Sequence, residues 1–303
     1  MIISGNHDSP ERINFASRLL SDKRIYFYGT FDGSVHKCIL NDEYGEVNFY
    51  LLPFIKPMMV RGMIEDAESE NYYAAVSAIL KTADIDYSAR NVLVSHQFYT
   101  RPGVTPMLSD SEMKAAGGLD AIDAGIISAF DYAALGHLHG GQGVGSDHIR
   151  YGGSPVKYSL SEMRQEKAVT LVEMGAKGSV AVTALPVCPI HEMREIRGGI
   201  DILMSGEIAS LADTNDYMSI ILTDEEEIID PMNKLRSVYP NIMKLDFDNS
   251  RTGIDISTAA ADMDSLQKLS AFELFEEFFL TAQGSAMSGE QAEIVRSLLE
   301  GAV

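Results

Sequence analysis

Asn6 and His7 in Gly5-Asn6-His7-Asp8, His96 in Ser95-His96-Gln97, and His137 and His139 in Gly136-His137-Leu138-His139 are the side chains of this chain best suited to chemistry. Read together, they make one metal site. Neutral imidazoles and an amide oxygen suit borderline first-row divalent ions such as manganese, iron or zinc, whereas magnesium would ask mostly for carboxylate and water. A pair of such ions can activate a water and clamp the attacking and leaving oxygens of a phosphate ester. Any one of these histidines alone reads more readily as a core or surface residue than as a ligand, and a Gly-x-x-Asp after a strand also reads as turn chemistry. The coincidence of three such segments, each after a strand and in this order, favours the metal site.

Each segment follows a short apolar run of β type: Ile2-Ile3-Ser4, Val92-Leu93-Val94 and Tyr132-Ala133-Ala134-Leu135. Runs of this kind predict buried strands. In an open α/β sheet, residues just past the carboxyl ends of neighbouring strands converge on one crevice. The surrounding pattern predicts a helix over residues 10–20, a strand over 48–54, a helix over 72–83, a strand over 92–96 and a short helix over 123–130. Later β-rich stretches, 149–153, 168–174 and 180–185, are expected to build the second sheet of a two-sheet sandwich with helices outside. Gly152-Gly153-Ser154-Pro155 reads as a tight turn open to a substrate or as a plain loop. Past Pro186 and Pro189, strands are expected at 193–196, 217–223 and 243–247, with a helix over 229–239. The acidic run Asp224-Glu225-Glu226-Glu227 reads as a solvated helix start. Residues 257–303 are expected to form an acidic helical tail, with Leu269, Phe272, Leu274, Phe275, Phe278, Phe279 and Leu280 in one segment, Ile294, Val295, Leu298 and Leu299 in a second, and residues 284–288 separating the two.

Together with residues 5–12, 52–54, 95–98, Gly117-Gly118-Leu119-Asp120, 130–139, 149–158 and 194–198, these motifs resemble the calcineurin-like metallophosphoesterases, and within them the bacterial SbcD branch of nucleases. The likeness runs along essentially the whole chain. It implies an α/β fold: a metallophosphoesterase two-sheet sandwich flanked by helices over residues 1–189, a small α/β capping domain over 190–256 and a helical docking tail over 257–303. It also implies two divalent ions, manganese first among them. Asn6, His96 and His137 would hold one ion and His139 the other, with His7 beside the scissile phosphate. Asp8 would orient His7 or raise its pKa, or serve as a helix cap before Ser9-Pro10-Glu11, or both. The implied activity is metal-dependent hydrolysis of DNA in double-strand-break repair, recombination and replication, as 3′–5′ exonuclease and hairpin endonuclease. The implied partners are DNA ends and an SbcC-type ATPase, in a complex with two copies of each subunit. The ATPase would be met by the tail through Phe275 and Phe279; packing of the tail on the cap is the alternative.

One departure limits these expectations. The family pattern places an Asp-x-His and a Gly-Asp before the Gly-Asn-His-Asp motif, and this sequence starts at Met1, four residues before Gly5. A truncated N-terminus is therefore expected, with the second metal site incomplete and the chain inactive alone. A non-catalytic adaptor for the ATPase and a small-molecule phosphodiesterase are the alternative functions. Composition agrees with a cytoplasmic enzyme: 46% of the 303 residues are hydrophobic, enough for a large core. No apolar run reaches the length of a membrane span. Cys38 and Cys188 fit reduced thiols buried as apolar fillers. With 24 basic against 44 acidic residues and a formal charge of −20, the chain is not expected to grip DNA by itself, although Arg12, Lys56, Arg61 and Arg101 could line a local rim.

Overall fold

The structure, a computed structural model, describes residues 1–15, 17–64, 70–113, 120–249, 270–283 and 286–300. Gly117, Gly118, Leu119, Gly284 and residues 257–269 of the expected tail fall outside them. The chain divides into two units, Met1–Pro189 and Ile190–Val303.

The strands of the first unit are β1 (Ile2–Ile3), β2 (Phe27–Tyr28), β3 (His36–Asp42), β4 (Gly45–Leu52), β5 (Arg90–Ser95), β6 (Tyr99–Thr100), β7 (Ile122–Asp123), β8 (Tyr132–Leu135), β9 (Gln142–Ser146), β10 (Ile149–Tyr151), β11 (Ala168–Met174) and β12 (Val180–Pro186). Six of them form the main sheet in the order β3-β4-β5-β8-β10-β9. Its four inner strands run parallel, and each edge strand is antiparallel to its neighbour.

Alternation along β5 sets what each face buries. Leu93 faces a core with Tyr50, Leu52, Ile127 and Phe130, closed by Ala75, Val76, Ile79 and Leu80 of helix Tyr72–Thr82. Asn71 starts that helix by accepting the Ala74 N–H at 2.9 Å, an exchange worth about 1 kcal/mol. Val92 and Val94 face the other way and pack with Val47, Phe49 and Tyr132 against Val172, Met174, Val180 and Val182 of the β11–β12 hairpin. Full burial of each such aliphatic side chain stabilises by about 1.5–3 kcal/mol. Arg90, buried at the start of β5, holds Asp42 through both carboxylate oxygens at 2.5 and 2.9 Å. It also donates to the carbonyls of Gly45 and Gly175, tying the β3–β4 turn to the hairpin.

Several expectations change. Residues 149–151 belong to the main sheet as β10, so only β11 and β12 supply the second β layer. The helix expected over 10–20 is two pieces, Pro10–Asn14 and Ser17–Ser21. The break follows Asn14, whose side chain accepts the Gly29 N–H and donates to the Thr30 hydroxyl; a short amide that finds such partners competes with the helix. The first strand is not buried: among the described residues β1 pairs with β2 alone, and Ile2 is 44% exposed. Cys38 is buried, but Cys188 is exposed.

In the second unit, β13 (Met193–Gly198), β14 (Tyr217–Leu222) and β15 (Ile242–Phe247) form a parallel three-stranded sheet in chain order. Its core joins Met218, Ile220, Leu222 and Ile242 to Ile200 and Leu203 of helix Ile200–Leu203, and to Leu235 and Tyr239. The helix expected over 229–239 shortens to Pro231–Arg236, because Pro231 takes its first position, Asp230 is left-handed and Ile229 is exposed. Asp224 does not start it. Its carboxylate instead accepts the Ile200 N–H at 2.9 Å, across the sheet. Helices Ala271–Gln283 and Gly289–Glu300 follow. Each opens with a reciprocal capping box, Ser270 with Glu273 and Ser288 with Gln291. Arg296 of the second lies 4.4 Å over the Phe272 ring of the first.

Candidate metal centre

Parallel neighbours β5 and β8 end at Ser95 and Leu135, so His96 and Gly136-His137 emerge side by side. The end of β1 reaches the same edge because the Ser4 carbonyl accepts the N–H of Phe54, just past β4, at 3.0 Å. Beyond Ser4 the chain turns tightly. The Asp8 carboxylate accepts the Gly5 N–H at 2.6 Å, closing the turn that carries Asn6 and His7. This corrects the cap expected of Asp8. The residue flanking helix Pro10–Asn14 is Ser9, which makes no side-chain capping bond, and the Asp8 carboxylate is engaged in the turn.

His96 sits between two glycines. A Cβ on Gly5 would lie 2.6 Å from His96 Cε1, and a Cβ on Gly136 would lie 2.6 Å from His96 Nδ1. Only glycine at both places lets the backbone close on the ring. His96 Nε2 lies 3.0 Å from Asn6 Oδ1, and the His137 ring stands edge-on to the His96 ring with centroids 5.5 Å apart. Burial, reinforced by His137 and opposed by Asp8, lowers the His96 imidazole to about 4. Burial lowers His137 as well, against the pull of the Glu112 carboxylate. Both rings are therefore neutral at neutral pH, the state in which imidazole offers a lone pair to a metal. His137 has φ of +108°, a backbone conformation that costs a non-glycine residue about 1–3 kcal/mol and clusters at functional sites.

His139 lies on a different set of contacts. Its N–H donates to Glu112 Oε1 and its Nδ1 lies 2.8 Å from Glu162 Oε1. Its carbonyl accepts from the Ser154 N–H at 3.0 Å and from Lys167 Nζ at 2.9 Å. The Gly152-Gly153 turn presses on the same loop: a Cβ on Gly153, where φ is +76°, would lie 2.7 Å from the Gly141 nitrogen and 3.0 Å from the His139 carbonyl oxygen. His7 is exposed, and its charge bears on both His96 and His137.

The donor set fits a first-row divalent ion. Two cis ligands of an octahedral ion with bonds of about 2.1 Å lie about 3 Å apart, the spacing of Asn6 Oδ1 and His96 Nε2. All the donors are neutral nitrogen or amide oxygen, which suits manganese, iron or zinc better than magnesium. Sequence reading missed Glu112, Glu162 and Lys167. A Ser159-x-x-Glu162 pattern in a charged stretch looks like an ordinary capping box on a solvated turn, and no periodicity marks Glu162 as fully buried.

Among the described residues, the group of three His, Cys, Asp or Glu ligand atoms lying within 4.8 Å of one another is in the second unit: His191, Asp213 and Asp216. Its carboxylates already have partners. Asp216 accepts from the Glu192 N–H and Arg194 Nε, and Asp213 from Asn215.

A family model for the SbcD C-terminal region, described as the type 5 capsule protein repressor C-terminal domain, matches residues 189–282. The chain is also 28% identical, over 307 aligned positions, to the SbcD component of the SbcCD nuclease of Staphylococcus epidermidis. The match covers 99% of this chain and 77% of that protein. The resemblance to the SbcD branch is borne out. The SbcD-like motifs of the first unit and the SbcD C-terminal match of the second thus lie in one continuous alignment.

Proposed function

We propose that the chain is a DNA nuclease subunit of the SbcD type, acting on double-strand ends and hairpins with an SbcC-type ATPase. The observation that best supports this is the seating of His96 between Gly5 and Gly136, with Asn6 Oδ1 at 3.0 Å and the His137 ring beside it, in a chain similar throughout to a nuclease subunit. Asn6, His96 and His137 would hold one divalent ion and His139 another, with manganese the first choice. When bound, such ions supply Lewis acidity and an activated water for phosphodiester hydrolysis.

The chain's own groups do the rest. Burial keeps His96 and His137 neutral and ready to ligate. His7, which is exposed, would give a proton to the departing sugar oxygen, a role worth about 10²–10⁴ in rate. Asp8 fixes the turn on which His7 stands. Four neutral donors carry no charge of their own to hold a dication, so weak metal binding and slow hydrolysis are expected of the chain by itself. Its two exposed-faced C-terminal helices would dock the ATPase, with Phe275 and Phe279 among the anchors.

Mn²⁺ uptake and Mn²⁺-dependent cleavage of a duplex end test this in parent, His96→Ala and His7→Leu chains. His96→Ala is expected to lose uptake. His7→Leu is expected to keep uptake and lose about 10²–10⁴ of the rate. Unchanged uptake in His96→Ala, or turnover of a small chromogenic diester with none of DNA, overturns the proposal.

A further inference from the structure

We infer that Glu162 and Lys167 form a buried positioning pair that fixes the tautomer of His139 and leaves its Nε2 as the one ring atom available to a metal. The inference rests on the metal-centre reading above.

Three polar atoms of His139 are occupied. Glu112 takes the N–H, Lys167 and the Ser154 N–H take the carbonyl, and Glu162 lies 2.8 Å from Nδ1. Among the described residues, Nε2 is the atom left over. An ionised carboxylate can only accept, so Nδ1 must carry the proton, and in the neutral ring Nε2 then carries the lone pair. Ligating histidines are commonly set in this way, by a carboxylate on the other ring nitrogen.

Lys167 makes the arrangement rigid. Its three N–H groups are shared among four acceptors: Glu162 Oε2 at 2.7 Å, Gln165 Oε1 at 2.7 Å, Ser154 Oγ at 2.8 Å and the His139 carbonyl at 2.9 Å. It thus grips His139 twice, directly at the main chain and through Glu162 at the ring. Glu162 is fully buried, and the Lys167 side chain is 5% exposed. Taking both charges out of water costs enough that an apolar pair of similar volume is often as stable or more so. Their presence is accounted for by what they hold in place.

The test uses ¹⁵N-histidine labelling of the whole chain without metal at neutral pH, with long-range ¹H–¹⁵N correlation to read the His139 tautomer, and then Mn²⁺ titration. The parent is expected to show protonated Nδ1. Glu162→Gln leaves one acceptor oxygen, which the Lys167 ammonium claims, so the amide N–H faces Nδ1 and the proton is expected to move to Nε2. The double variant Glu162→Leu with Lys167→Met removes both charges, so the fold is expected to survive, as thermal melting will report. It should show a mixture of tautomers and a 10- to 100-fold loss of Mn²⁺ affinity. A folded double variant with the parental tautomer and affinity, or a parent protonated at Nε2, overturns the inference. Absence of Mn²⁺ uptake by the parent overturns the metal-centre reading instead, and the tautomer still reports on the pair by itself.

Discussion

The positive φ of His137 makes a ligand position also a point of backbone strain. At ordinary sites alanine is more stable than glycine, because glycine loses more freedom on folding. Here the order should reverse. His137→Gly and His137→Ala both remove the ring, but only the glycine relieves a conformation costing about 1–2 kcal/mol for a residue with a Cβ. Urea unfolding should find the glycine variant the more stable by about 1 kcal/mol; an alanine variant equal or better would show that His137 is unstrained. At this scale the sequence was legible where chemistry and spacing coincide. Asn6 meets His96, and His96 meets His137, from segments up to 131 positions apart, because each sits one to three residues past a readable strand. Glu162 and Lys167 were not legible. Their burial depends on a loop closing over His139, and nothing local distinguishes them from solvated charges.

Asp131 lies on the turn before β8 and binds together elements that the sheet does not join. Its carboxylate accepts from the Asn91 N–H at 2.7 Å, Lys177 Nζ at 2.8 Å and the Gly178 N–H at 3.0 Å, pinning the β11–β12 turn to β5. Burial would raise this carboxyl, but the hydrogen bonds from Lys177, Asn91 and Gly178 outweigh it and hold it below the usual value. A lowered carboxylate contributes stability that is complete above its unfolded pKa of about 4 and fades as pH falls through the folded value. Asp131→Asn should therefore destabilise by about 1–2 kcal/mol at neutral pH, and the gap to the parent should close below about pH 4. A gap that widens in acid would contradict the assignment. Elements of this length were legible unevenly. The helix expected over 72–83 was legible from its apolar pattern, whereas the four-residue helices Ile200–Leu203 and Gly206–Ala209 are too short to show a period. Residues 149–151 were assigned to the wrong layer because strand character does not say which neighbours a strand pairs with.

Across the whole molecule, charge and exposed aromatics bear on the proposed partner. The chain carries −20, and the described residues hold no helix long and apolar enough to cross a membrane. In helix Ala271–Gln283, Phe278 is 65% exposed and Leu274, Phe275 and Leu280 are exposed beside it, while Phe279 is half-buried. Replacing Phe275 and Phe279 with Glu should abolish co-purification with an SbcC-type ATPase and leave the Mn²⁺ uptake of the first unit unchanged. A retained complex would direct attention to packing within the second unit. The amphipathic tail helices were evident from apolar spacing alone, but the partner came from resemblance, because periodicity reports that a face is apolar and not what covers it.

The two capping boxes bear on how such a meeting would proceed. Each helix supplies its own start from Ser270 and Glu273 or Ser288 and Gln291, and Arg296 over Phe272 holds one to the other. Isolated helices of 13 and 12 residues are marginal in water, so these local devices decide whether the hairpin exists before contact. A surface organised in advance needs no folding step at encounter and retains more of its contact energy as affinity. On the proposed docking, helices Ala271–Gln283 and Gly289–Glu300 would meet the partner already assembled rather than take shape on it.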